Sequence, residues 1–172
     1  MNSVPLIVSF FGEDEVSHPK IVYKNLFKEL EKRLFQRYKL STGRERIFLC
    51  GGTGEFDEIV KRVLRALKRI YPDVPIQRVL CTPFPEAYPL KGLHIYYDKI
   101  LPLLAIGWKD QQIEDRDKSM ITLSELVIGY VRQSQEKGKK LLEYAKENAK
   151  TIKLISDNPS PRTSRRCGKN RK

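Results

Sequence analysis

The sequence predicts an α/β fold, a mostly parallel sheet of about five strands with helices on both faces. Three observations carry this. Short apolar runs such as VPLIVSFF and RIFLC recur without polar alternation, as strands covered on both sides require. Between them lie longer stretches whose apolar residues repeat at helical spacing. The order that results, β-α-β-α-β, a loop and a helix, then β-α-β, is that of a Rossmann-like three-layer sandwich with right-handed crossovers.

Val4–Phe11 is the first strand, ended by Gly12. Pro19 suits the first turn of a helix. From Lys20 to Lys39 the residues Val22, Leu26, Leu30, Leu34 and Tyr38 form one apolar stripe, broken at Ser41–Gly43. Arg46–Cys50 is the second strand and meets the loop Gly51-Gly52-Thr53-Gly54. The next helix turns Phe56, Ile59, Val60, Val63, Leu67 and Ile70 inward and Lys61, Arg62, Arg65, Lys68 and Arg69 outward, and Pro72 and Pro75 stop it. Ile76–Cys81 is the third strand.

Thr82–Gln111 has four prolines, three tyrosines and Trp108 but no clean period. A segment of this kind reads as a lid or binding loop, with a helical turn at Tyr96–Ile100. Gln112–Leu123 is a short helix and Leu126–Val131 the fourth strand. Lys137–Ala149 is a helix with Leu141, Leu142, Ala145 and Ala149 inward, and Thr151–Ile155 is the fifth strand. Residues 1–155 make one domain. Ser156–Lys172 is polar, basic and expected to be a disordered tail.

The chain has 172 residues, enough for one domain with a real core. Its 33 Lys and Arg stand against 21 Asp and Glu, a net charge of +12, and the tail alone holds six basic residues against Asp157. Such a field favours polyanions. Cys50, Cys81 and Cys167 have no metal or redox spacing, and the first two end apolar runs. They read as reduced, buried thiols of a cytoplasmic protein. No apolar stretch approaches the roughly 20 residues that span a bilayer, so no membrane partner is expected. His18 and His94 are the only histidines, and they form no paired motif. No metal site and no cofactor are expected.

In an open parallel sheet, ligands bind outside the carboxyl ends of the strands. Three segments converge there: Phe10–Asp14, Cys50–Asp57 and Tyr130–Lys140. Glycines let a backbone approach a phosphate, and the helix that follows offers free amides. Gly51–Gly54 is neither a Walker loop nor GxGxxG; it is either a ligand loop or a tight strand-to-helix turn. Glu55 and Asp57 either complement the helix dipole, bind a ribose hydroxyl or repel a phosphate. Tyr96, Tyr97 and Trp108 are stacking platforms or core.

Glu114–Ile155 carries a pattern of its own. Arg116, Asp117, Met120, Ser124 and Glu125 precede an apolar strand, and Glu143, Tyr144, Ala145 and Lys146 lie on the helix after it. With Val8–Gly12, Gly51–Asp57 and Tyr97–Pro102, this resembles the SLOG superfamily, Rossmann-like domains that include the YpsA-type proteins, the DNA-processing protein DprA and the LOG phosphoribohydrolases. The resemblance covers about 150 residues. Two departures fall on the crevice. Glu13 and Asp14 stand where the family has His-Arg. Its Gly-Gly pair falls on Glu136 and Lys137, with Gly138 following. The resemblance puts Arg116 at the crevice, either on a ligand or in an ion pair that fixes the preceding loop. Met120 is assigned to the core, and Ser124 to capping or orienting the start of the strand.

The function expected is a nucleotide-type (ADP-ribose or nucleoside phosphate-like) ligand-binding or sensing domain. Its ligand residues would be Gly12, Glu13, Gly51, Gly52, Thr53, Gly54, Asp57, Arg116, Ser134, Gly138 and Lys139. One alternative is a nucleic-acid-binding module using Arg62, Arg65, Lys68, Arg69 and the tail. The other is a phosphoribohydrolase with Glu55, Asp57 or Glu136 as its carboxylate. The partners expected are a nucleotide-like small molecule, nucleic acid, and further copies of the chain in a homo-oligomer.

Overall fold

The computed structural model describes residues 4–35, 44–88, 91–103, 107–132, 134–148 and 150–159. Six strands form one all-parallel sheet in the order β4-β3-β2-β1-β5-β6. They are β1 (Leu6–Gly12), β2 (Arg46–Cys50), β3 (Ile76–Thr82), β4 (Lys99–Pro102), β5 (Leu126–Tyr130) and β6 (Thr151–Leu154). The helices are α1 (Pro19–Leu30), α2 (Glu55–Ile70), α3 (Lys109–Leu123) and α4 (Glu136–Glu147). The chain is a Rossmann-like α/β domain with six strands where about five are expected.

The apolar runs are unbroken because successive residues serve two cores. In β1, Val8 and Phe10 join Phe48, Leu80 and Ile128 under α1 and α2, where Val22, Leu26, Val60 and Leu67 are buried. Phe11 points the other way, into a cluster with Ile121, Val127, Leu141 and Ala145 beneath α3 and α4. Met120 sits with Leu49, Val79 and Cys81, a core position as expected. Gly129 of β5 is set by this packing, since a Cβ there would meet the Phe11 ring.

The departures from the expected elements have local causes. β4 lies within Thr82–Gln111, where no strand is predicted. Its residues are largely exposed on an edge, it ends in Pro102, and it has neither an apolar run nor a clean alternation. Tyr96–Ile100 is not a helical turn. A 3-10 turn spans Leu93–Ile95, Tyr97 is buried, and Lys99 opens the strand. α3 begins three residues before Gln112, at Lys109, behind Trp108, whose backbone lies in the β region. α1 passes into a π-helical turn at Glu31–Phe35. Tyr38 and Ala149, assigned to inward faces, lie outside the described residues. Ser156–Pro159 lie against α1, where Asn25 donates to the carbonyls of Ser156 and Asn158 at 2.8 and 3.1 Å. Residues 160–172 of the tail lie outside the described residues.

This topology places the site. β1 and β5 are neighbours, yet the chain leaves β1 toward β2 and β5 toward β6. Their carboxyl ends are the switch point at which such sheets open a crevice.

Candidate functional site

The β2–α2 loop is built around Arg116. Its guanidinium, on α3 and 2% exposed, donates to the Gly51 carbonyl at 2.8 Å and to Thr53 Oγ1 at 3.1 Å. It also donates twice to Asp117 Oδ1, at 2.9 and 2.6 Å. A Cβ at Gly51 would come within 2.7 Å of Arg116 Nη2 and 2.9 Å of Asp57 Oδ2, so only glycine fits. Thr53 donates its amide to Asp57 Oδ2 at 2.9 Å. The structure thus brings Gly51, Thr53, Asp57 and Arg116 into one buried network.

The electrostatics follow from counting charges. Two buried carboxylates, Asp57 and Asp117, share one guanidinium. Burial pushes the Asp57 carboxyl up to about 7, against the pull of Arg116 and with the repulsion of Asp117. Burial raises Asp117 as well, again against Arg116, which bonds it directly. Arg116 stays charged because the two carboxyls outweigh its own desolvation. At neutral pH Asp57 is therefore about half protonated, where a free aspartate is fully ionised.

Gly52 and Gly54 have φ of 73° and 86°, which a side chain rarely adopts. Gly52 faces away from Arg116, toward Leu80 and Tyr88. Its carbonyl accepts from the Tyr88 hydroxyl at 3.3 Å. Gly54 packs on Asp14, whose carbonyl accepts from the Glu55 amide at 2.9 Å. Glu55 Oε2 accepts from the Val16 amide at 2.8 Å. The first two loops of the rim are thereby locked together. Gly12 packs on the Phe56 ring.

The third loop meets Glu13. Its carboxylate is 1% exposed, accepts from the Arg132 amide at 3.5 Å and lies against the backbone of Gly138. Lys137 reaches Asp14 at 3.4 Å. Ser134 and Lys139 are exposed and stand apart from the network among the described residues, while Glu136–Lys139 form the first turn of α4 rather than a loop. Ser124 Oγ donates to the Met120 carbonyl at 2.7 Å, closing the end of α3. Asp117, Tyr88 and Lys137 complete the rim; in the sequence Asp117 stands out only within the pattern around Arg116, Lys137 only as a departure from a glycine pair, and Tyr88 not at all.

A second feature lies on the other helical layer. Lys20, Lys24 and Lys28 on α1 and Arg62, Arg65 and Arg69 on α2 are exposed, and none has an ion pair among the described residues. Arg62 lies over the Tyr23 ring at 5.7 Å, and Arg65 and Lys61 over Tyr96 at 5.3 and 4.7 Å. Tyr23 is stacked with Phe27. Lys68 is instead engaged with Asp98 at 2.7 Å. A cleft of about 670 Å³ opens between the start of α1 and α2, lined by His18, Lys20, Tyr23 and Arg62. Tyr97 is core, half of the aromatic pair offered for stacking, and Trp108 is 89% exposed. Among the described residues no cluster of His, Cys, Asp or Glu could hold a metal ion, and no helix is long and apolar enough to cross a membrane.

Fold and rim together define a Rossmann-like α/β domain with a closed, charge-rich switch point. No protein-family model matches the chain, and no curated protein matches it. Among solved structures it is similar to DNA processing protein A from Helicobacter pylori, reported for its unique single-stranded DNA binding mode, with a TM-score of 0.55 and 15% identity. The match covers 88% of this chain and 65% of that one, so the chain spans about two thirds of that protein's length. At this identity the likeness establishes the fold.

Proposed function

We propose that this protein binds single-stranded nucleic acid across the outer face of α1 and α2. The observation that carries the reading is the set of six exposed cations on two adjacent helices without ion pairs among the described residues. Unpaired, they are free to neutralise phosphates and release counterions. Tyrosine rings with guanidinium groups beside them are surfaces on which unstacked bases can stack, which favours single strands over duplex. The chain also leaves Pro159 beside α1, and the residues after it hold six Lys and Arg and no acid. That a protein of the same fold, DNA processing protein A of Helicobacter pylori, is reported to bind single-stranded DNA is consistent with this use of the scaffold.

The test is fluorescence anisotropy with a labelled single-stranded oligonucleotide at several salt concentrations. Replacing Arg62, Arg65 and Arg69 by Ala should weaken binding and reduce the slope of log K against log salt by about 2, at roughly 0.7 per lost phosphate contact. An unchanged slope, or no binding by the intact chain at low salt, disproves the reading.

A nucleotide-type small molecule at the rim is the second reading. It is favoured by the convergence of Gly51, Thr53, Asp57 and Arg116 at the carboxyl edge of the sheet. Such a ligand has to replace bonds that Arg116 already makes within the protein.

A further inference from the structure

The crevice between β1 and β5 is where sheets of this type seat an anion, on the free amides that open the following helix. Here that helix is α4, and the place is taken. Glu13, the first residue after β1, carries its carboxylate to the first turn of α4, where Oε1 lies against the Gly138 backbone and accepts from the Arg132 amide at 3.5 Å. Gly138 is glycine for this reason, since a Cβ there would fall onto Glu13 Oε1. Gln135, at the N-cap position, provides no side-chain cap of its own.

A second observation separates this carboxylate from an ordinary helix cap. Glu13 Oε2 is buried and has no hydrogen-bond partner among the described residues. Buried polar atoms are nearly always paired, and a bare carboxylate oxygen costs stability. Burial holds the Glu13 carboxyl above the usual range, with Lys137 opposing and Asp14 reinforcing the shift. A stability-driven cap would not leave half its carboxylate unsatisfied. The arrangement matches a ligand atom's position better than a structural one.

We propose that Glu13 is a resident anion, occupying the phosphate position at the N-terminus of α4 and closing this crevice to phosphate-bearing ligands. The inference rests on the fold and the Glu13 contacts, not on the nucleic-acid reading. It bears on the rim ligand by excluding the phosphate half of any nucleotide from the α4 amides.

The test compares the intact chain with Glu13→Ala. Orthophosphate and pyrophosphate are titrated calorimetrically, and the Arg132 and Gly138 amides are followed by NMR. The intact chain should show no phosphate-dependent movement of these amides. The variant should bind at least about tenfold more tightly, since a like charge in contact has been removed, and both amides should shift. Equal affinity in the two proteins, or shifts confined to α1 and α2, overturns the proposal. Binding by the intact chain with movement of Gly138 also overturns it, and would favour the nucleotide reading. Oligonucleotide affinity of Glu13→Ala should be unchanged, which keeps the two readings separable. Should Glu13→Ala not fold, the intact chain still decides. The Glu13 carboxyl carbon and the Gly138 amide must then titrate together, at a midpoint above that of an ordinary glutamate. Independent titration refutes the resident anion.

Discussion

Asp57→Asn tests whether burial or Arg116 governs the network beneath the glycine loop. Asp57 is 8% exposed and accepts the Thr53 amide. Burial lifts its carboxyl from 3.8 to about 7 in the folded protein. A raised carboxyl means the native state holds a proton that the unfolded chain has lost. Stability is then full below about pH 4 and falls as pH rises toward 7. At about 1.4 kcal/mol per pH unit, the loss approaches about 4 kcal/mol at pH 8. Asn resembles the neutral acid, with one acceptor for Thr53 and one donor, and carries no charge to bury. The variant should match the wild type near pH 4 and exceed it by up to about 4 kcal/mol at pH 8. Urea denaturation across pH 4 to 8 measures this gap, and the other raised carboxyls, Glu13 and Asp117, are common to both proteins. A gap independent of pH, or a wild type that gains on the variant as pH rises, would mean that Arg116 outweighs burial and that the charge balance argued above is wrong.

Asp98 should behave with the opposite sign. Burial opposes its charge, but hydrogen bonds from Arg78 and Lys68 prevail and hold it down to about 2. Its stabilisation is present above about pH 4 and lost as pH falls toward 2. Asp98→Asn should cost about 1–2 kcal/mol at pH 7, after allowance for partial exposure, and almost nothing at pH 2; an acid titration of both proteins reads this directly. Arg116→Ala strands Asp117 and the Gly51 carbonyl, and should cost about 3–5 kcal/mol. Arg116→Lys should not restore it, because a single ammonium cannot reach Gly51, Thr53 and Asp117 together. A melting temperature little changed in either variant would show that the guanidinium is not structural.

Much of the fold was legible because covered parallel strands leave unbroken apolar runs. Val8–Phe11, Phe48–Cys50 and Val127–Ile128 feed two cores at once, so every position in them is apolar or small. β4 was illegible for the converse reason. An edge strand covered little on either face needs no such run, and Lys99-Ile100-Leu101-Pro102 is held by backbone bonds to β3. The tyrosines around it misled in the same way. Tyr97 fills the core while its neighbour Tyr96 lies under Lys61 and Arg65, a division that no linear spacing records.

At the rim, residue types were legible and their partners were not. The glycine loop and Arg116 were expected to meet, and they do, but which groups use up the guanidinium's donors depends on α3 approaching from the opposite layer. Asp117, adjacent in sequence, takes two of those bonds, and the Gly51 carbonyl takes another. A sequence shows an arginine that suits phosphate. Only the packing shows it engaged by the protein's own oxygens. The acidic Glu13 carries the same lesson further. Where the resembled family has a basic pair, a carboxylate read from sequence alone is out of place in an anion crevice. Set against the amide of Gly138, it is in the place where an anion belongs, and the mismatch becomes the explanation of why Gly138 alone of that turn had to stay small.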